Sequence, residues 1–195
     1  MLIPFQKEKI KNAILFFAIE YRKKTKKNIN QTRLYKFLAF LDFEIMEEYG
    51  ELPLGLTYKA MDMGPVPIEI YEKKEEEYIN NDLYIFQNKK DNYNTVEVIV
   101  KNKDLLDLDY FSDIEIEKMR NIIEIYTDKS IMTSQISDAS HERIKAWKKR
   151  YKEERNGIIS YDEDVFINIS NKKEEDFTNA ERRYAMLKAF EEIKK

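Results

Sequence analysis

The sequence predicts a mainly α fold: a compact helical domain around a central apolar helix, with one small β-hairpin. Three observations predict it. Apolar residues recur at helical spacing along most of the chain, and one long segment is apolar nearly all round. Only one pair of β-rich runs is joined by a polar turn. A composition of 43% hydrophobic and 36% charged residues can fill a core and still solvate a surface, so a folded chain is expected.

The first helix is expected over residues 5–21, where Ile10, Ala13, Ile14, Phe17, Ala18 and Tyr21 share one face. Residues 23–30 are basic and polar and read as a connection, with Asn30 placed to cap a second helix that runs to about Tyr49. From Leu34 to Met46 that helix has little polar face, as expected of an element surrounded by others. Gly50 should end it. Residues 58–63 are expected to form a short helix, and Gly64-Pro65-Val66-Pro67 a rigid corner that starts another helix at Pro67. Residues 83–86 and 96–100 then read as the β-hairpin, turning through Asn88, Asp91 and Asn92. Ser112 with Glu115 forms a capping box for a helix carrying Met119, Ile122, Ile123 and Tyr126. A shorter helix over residues 133–139 leads to Ser140-His141 and then to a basic helix with Ile144, Trp147 and Tyr151. Gly157 reads as its stop, and residues 158–169 as a short strand or extended segment. A second capping box, Thr178 with Glu181, opens the last helix. Two parts are therefore expected: a helical domain over residues 1–170, and a C-terminal helix over 171–195 packed on it or used for association.

Composition narrows the chemistry. Lys and Arg total 34 against 37 Asp and Glu, a net charge of −3, which argues against nucleic acid as a partner of the free chain. The basic runs Arg22-Lys23-Lys24 with Lys26-Lys27, and Lys148-Lys149-Arg150, read as solvated helix ends. Without cysteine there is no disulfide, thiol nucleophile or thiolate metal site. The N-terminal residues soon turn charged, unlike a secretory signal, and no apolar run approaches the ~20 residues that span a bilayer. A cytoplasmic protein with no membrane association is expected.

No catalytic, cofactor-binding or metal set emerges. Asp162-Glu163-Asp164 reads as a solvated acidic turn, and four glycines leave no phosphate-cradling loop. Ser140 beside His141 lacks the surroundings of an activated nucleophile. Asp42 lies in the most apolar part of the chain and must be hydrogen-bonded or paired there. It is either a structural anchor for a nearby loop, such as the Gly64 corner, or one wall of a polar site. His141 is expected to hydrogen-bond across a helix junction, and Trp147 to fill a gap between helices or anchor an interface.

The segment from Lys36 to Phe43 with Asp42 inside it, then Gly50, Gly55, Tyr58 and Gly64-Pro65-Val66-Pro67, resembles the Panacea domain family of SocA-like antitoxins. The resemblance continues with Ser140-His141, Trp147 and Ile159-Ser160-Tyr161, and spans about residues 5–165. Leu54 and Ala39 depart from the family pattern. The resemblance implies a mostly helical domain that neutralises a cognate toxin protein by direct, non-covalent binding, in a family whose members are associated with phage and mobile elements and of which one is an adaptor that delivers its toxin to a protease. It implies no catalytic residue and no cofactor. The motif residues Asp42, Gly55, Tyr58, Gly64, Pro65, Pro67, Ser140, His141 and Trp147 are then structural or partner-binding. A homodimer is a further way to use the last helix. The competing expectation is an enzyme of unrecognised type, with Asp42, Tyr58 and His141 converging on an open polar pocket.

Overall fold

A computed structural model of the chain describes residues 3–72, 76–89, 95–127 and 132–193. Helices dominate. Helix α1 (Gln6–Thr25) and helix α2 (Gln31–Tyr49) form an antiparallel pair joined by a short turn. Strands β1 (Tyr58–Met61) and β2 (Gly64–Pro67) make a first hairpin, followed by the single turn of α3 (Ile68–Tyr71). Strands β3 (Tyr84–Asn88) and β4 (Val96–Val100) make a second. Helices α4 (Asp113–Tyr126), α5 (Thr133–Arg143), α6 (Lys145–Glu153) and α7 (Asn179–Ile193) complete the order.

Helix α2 is the centre, as its composition predicts. Every residue from Arg33 to Phe43 is buried, because α1, α4, α5, α7 and β2 pack around it. Phe17 meets Phe37 with ring centroids 5.4 Å apart, and Phe40 stacks on Tyr126 of α4 at 4.6 Å. Such rings supply much of the buried apolar area of a core this size.

The local end signals act where expected. The Asn30 side chain accepts from the Arg33 N–H at 2.8 Å, and Gly50 closes α2 in a left-handed conformation with φ 73°. Ser112 and Glu115 cap α4 reciprocally, and Thr178 and Glu181 do the same for α7. Helix α1 runs further than its apolar face suggests, to Thr25, because basic side chains in a last turn suit the helix dipole. Asp91 and Asn92 of the expected β3–β4 turn lie outside the described residues, and Asn88 ends β3.

Residues 58–67 differ from expectation. They form an antiparallel hairpin, with Tyr58 opposite Pro67 and Met61 opposite Gly64, and neither a short helix nor a corner. Two prolines are tolerated because β2 pairs on one side only, so their missing N–H groups leave no ladder bond unmade. Residues 158–169 are also less extended than expected. After one bridge from Ile158 to Lys59, the chain coils into a π turn over Tyr161–Val165 and a 3₁₀ turn over Ile169–Asn171.

Helix α7 packs its first half onto the end of α2, where Ala180 and Tyr184 join Met46 and Phe166. A Cβ at Gly50 would lie 2.0 Å from the Ala180 carbonyl oxygen, so this approach requires glycine. The second half turns Met186, Phe190 and Ile193 to the exterior.

Candidate functional site

The motif residues converge on the β1–β2 hairpin. Asp42 projects from α2 into the segment just before it. Its Oδ1 accepts from the N–H groups of Leu54 (2.7 Å) and Gly55 (3.2 Å), and its Oδ2 from the Leu56 N–H (3.3 Å) and the Tyr58 hydroxyl (3.0 Å). The anchored loop is therefore residues 54–56 and not the Gly64 corner. Both Asp42 and Tyr58 are buried. Burial raises the Asp42 carboxyl to about 6, against the pull of these four donors, and raises the Tyr58 phenol, with the Asp42 charge adding to it.

Gly64 has φ 101°, and it is the residue that turns the chain back into β2 after Asp62 and Met63, neither of which has positive φ. It also makes room. A Cβ there would stand 2.7 Å from Ser140 Oγ and 2.9 Å from Lys36 Cε. Lys36 is fully buried and donates to the Pro65 carbonyl at 3.3 Å. Burial pulls its amine down to about 7. No local pattern announces this lysine, which sits within the apolar run of α2. Its one unusual feature in the sequence is a cation inside that run.

Helices α5 and α6 hold the hairpin from the other side. Ser140 donates to the Ser137 carbonyl at 2.7 Å and is buried. His141 stacks flat on Trp147, with ring centroids 3.9 Å apart, and Trp147 in turn stacks on Tyr151 at 4.8 Å. Trp147 Nε1 donates to the Met61 carbonyl at 3.0 Å, and the Tyr151 hydroxyl to Asp62 at 2.9 Å. Trp147 is buried in the core, as expected, and also clamps the hairpin tip. The expected hydrogen bond of His141 is missing at Nε2, which is buried with no partner among the described residues. Burial, then the Lys36 charge, holds the imidazole below its ordinary value.

The chain after α6 closes the third side. The Ala60 N–H donates to the Gly157 carbonyl and the Ile159 N–H to the Tyr58 carbonyl, both at 2.9 Å. Tyr161 donates to the Leu56 carbonyl at 3.0 Å and packs on Phe43. Pro67 ends the hairpin as the residue before α3. The hairpin is thus tied along both strands and at its tip.

Asp42 and Tyr58 meet in a buried contact. Among the described residues, no hydrogen bond or ring contact joins either to His141, so the three do not line one open pocket. Of Asp162-Glu163-Asp164, expected as a solvated turn, Asp162 is partly and Glu163 largely exposed, and Asp164 is the departure. Asp164 is buried against Arg150 (2.9 Å) and Lys149 (3.1 Å), and Asp162 takes the Tyr184 hydroxyl and Lys188, both at 2.5 Å. Among the described residues no cluster of three His, Asp or Glu side chains is placed to hold a metal ion.

What the hairpin leaves open is a cleft of about 410 Å³ between it and the start of α2, lined by Tyr35, Lys36, Met61, Met63, Val66 and Tyr71. Met63 and Tyr71 are the strongly exposed apolar side chains on it, at 50% and 47%.

A helical domain with one braced hairpin is the architecture in which the family comparison can be placed. The family model for the antitoxin SocA-like, Panacea domain matches residues 34–148, more than half of the chain, and the chain belongs to this family. Membership supports an antitoxin role in general terms, with a toxin as the partner it implies. No curated protein and no solved structure matches the chain. Among the described residues no helix is long and apolar enough to cross a membrane.

Proposed function

We propose that this protein is the antitoxin of a toxin–antitoxin pair and neutralises its toxin by direct, non-covalent binding through the β1–β2 hairpin and the cleft beside it. The observation that supports this most is where the motif residues are spent. Asp42, Lys36 and Trp147 direct their polar atoms at the hairpin or the loop just before it, and Tyr58 of the hairpin donates back to Asp42, which holds the hairpin in one geometry. A preorganised tip loses little freedom on binding, and the exposed Met63 and Tyr71 offer the apolar anchors that binding hot spots use. An interface of ~800 Å² per partner would cover the tip, the cleft and α3. We further propose that residues 1–170 form the Panacea-like domain and that 171–195 is a segment packed on it.

The test is co-expression with the product of the adjacent gene, scored by growth and co-purification. The wild-type chain should restore growth and hold the toxin in a stable complex. Met63→Glu with Tyr71→Glu should abolish both while leaving the thermal melt unchanged. A harmless neighbour that forms no complex would remove the antitoxin assignment. Full rescue by the double variant would move the interface away from the hairpin.

A further inference from the structure

The fold assembles a cationic trough that the linear sequence does not display. Arg22, Lys26 and Lys27 come from the end of α1, Lys89 follows β3, and Lys101 and Lys103 follow β4. They meet because β4 lies against the α1–α2 turn, where the Val98 N–H donates to the Ile29 carbonyl and Asn30 bridges to Glu97. Two clefts result, of about 850 and 580 Å³, and they share Arg22 and Lys26. Among the described residues lining them, the one carboxylate is Glu97, already engaged by Lys89 at 3.1 Å and Asn28 at 3.3 Å. Arg22, Lys27 and Lys103 make no ion pair among the described residues. Among the described residues Lys26 and Lys101 donate to neutral oxygens, at Lys23, Asn80 and Asn81.

Such segregation is unusual for a chain of net charge −3. Beyond Glu97 on Lys89 and Glu20 on Lys23, the cations lining the clefts outnumber their counter-charges, and like charges held together repel, so a surface of this kind favours an anionic partner. The beginnings of α2 and α5 open on the larger cleft through Asn30, Met132 and Thr133, adding their partial positive ends. The lining also separates two kinds of anion. A protein interface needs buried aromatic anchors. Here Tyr21 is covered by the Arg33 guanidinium at 5.2 Å and is buried. Among the described residues no exposed aromatic ring lines either cleft, so those residues offer no platform for stacking bases.

We propose that this trough binds the phosphate backbone of a nucleic acid, gripping phosphates by charge without reading bases. Whole-chain charge, which argued against this, averages over faces that the fold keeps apart. The proposal stands independently of the toxin assignment.

The experiment uses the full chain and fluorescence anisotropy, with labelled RNA of about 20 nucleotides in one arm and a DNA duplex of about the same length in the other. If about four phosphates are neutralised on the single strand, the log–log salt slope is about −3, so affinity should fall roughly 50-fold between about 50 and 200 mM salt. Lys26→Glu, Lys27→Glu and Lys103→Glu together should weaken binding at least ten-fold, on the order of three lost charge contacts. Lys148→Glu with Lys152→Glu, at a distance on α6, should change it little. Thermal melts confirm that both variants fold. The tighter arm identifies the nucleic acid. Failure of both arms, salt-independent binding, or equal loss in the α6 variant overturns the proposal. So does equally tight binding of labelled polyglutamate, which would assign the trough to an acidic protein surface.

Discussion

Replacing Asp42 removes the acceptor that four donors share. In Asp42→Ala the N–H groups of Leu54, Gly55 and Leu56 and the Tyr58 hydroxyl all lose their partner. An unsatisfied buried donor costs about 1–3 kcal/mol, reduced where the loop can admit water, as at half-buried Gly55. A loss of about 3–5 kcal/mol is expected, a large share of a typical domain's stability. Asp42→Asn separates charge from shape. The amide oxygen can still serve Leu54 and Gly55, and Tyr58 can turn to accept from the amide, so mainly the Leu56 bond is lost, about 1–2 kcal/mol. The pH dependence is the sharper signature. With a folded value of about 6 against an ordinary 3.8, the native state holds the extra proton between these limits. The Asp42 contribution is therefore greatest below pH 3.8 and is lost as pH rises through about 6, a fall of about 3 kcal/mol. Trp147 is the single tryptophan, so urea unfolding followed by its fluorescence from pH 4 to 8 reads the effect. The wild type minus Asp42→Asn difference isolates Asp42 from other carboxyls titrating in the window. An Asp42→Ala variant within about 1 kcal/mol of wild type, or an Asp42→Asn variant with the wild-type slope, would refute the reasoning.

Other sites give independent tests. Lys36, lowered to about 7 by burial, makes the unfolded chain the better proton binder between there and 10.5, so stability should rise with pH over that window. Lys36→Met should flatten this rise and melt at or above the wild-type temperature at pH 7 by calorimetry. Trp147→Phe keeps a ring between His141 and Tyr151 but loses the Met61 bond, at about 1 kcal/mol, whereas Trp147→Ala should cost about 3–5 kcal/mol by circular dichroism melts. Gly50→Ala sets a Cβ against the Ala180 oxygen at φ 73° and should loosen α7. Limited proteolysis should then cut near residue 171 faster than in wild type while the rest of the chain resists.

The antitoxin role rests on two kinds of information with different reach. The signature from Lys36 to Trp147 places the chain in its family, and the structure adds what those residues do for one another. Asp42 is the clearest instance. A carboxylate in an apolar helix must find donors, which the sequence says, but which loop supplies them depends on how the chain returns. His141 shows the opposite outcome. A lone histidine near a helix junction suggested a bonded core residue, and it is instead stacked, with Nε2 left without a partner among the described residues.

By itself the sequence determined the features that depend on neighbours along the chain. Asn30, Ser112 with Glu115, and Thr178 with Glu181 start helices because their side chains reach backbone N–H groups three residues on. The apolar stretch of α2 marked the centre because a helix without a polar face must be surrounded. Tertiary structure alone decided the β1–β2 hairpin, whose prolines and Asp62-Met63 tip carry no hairpin signal, and which exists because α2, α6 and residues 156–161 tie it down. It also decided the burial of Lys36, the pairing of Asp164 with Arg150, and the gathering of Lys101 and Lys103 beside Arg22. Each joins residues more than a dozen positions apart, or closes a space no local pattern encodes. Periodicity reports which face a residue occupies, and packing decides what that face meets.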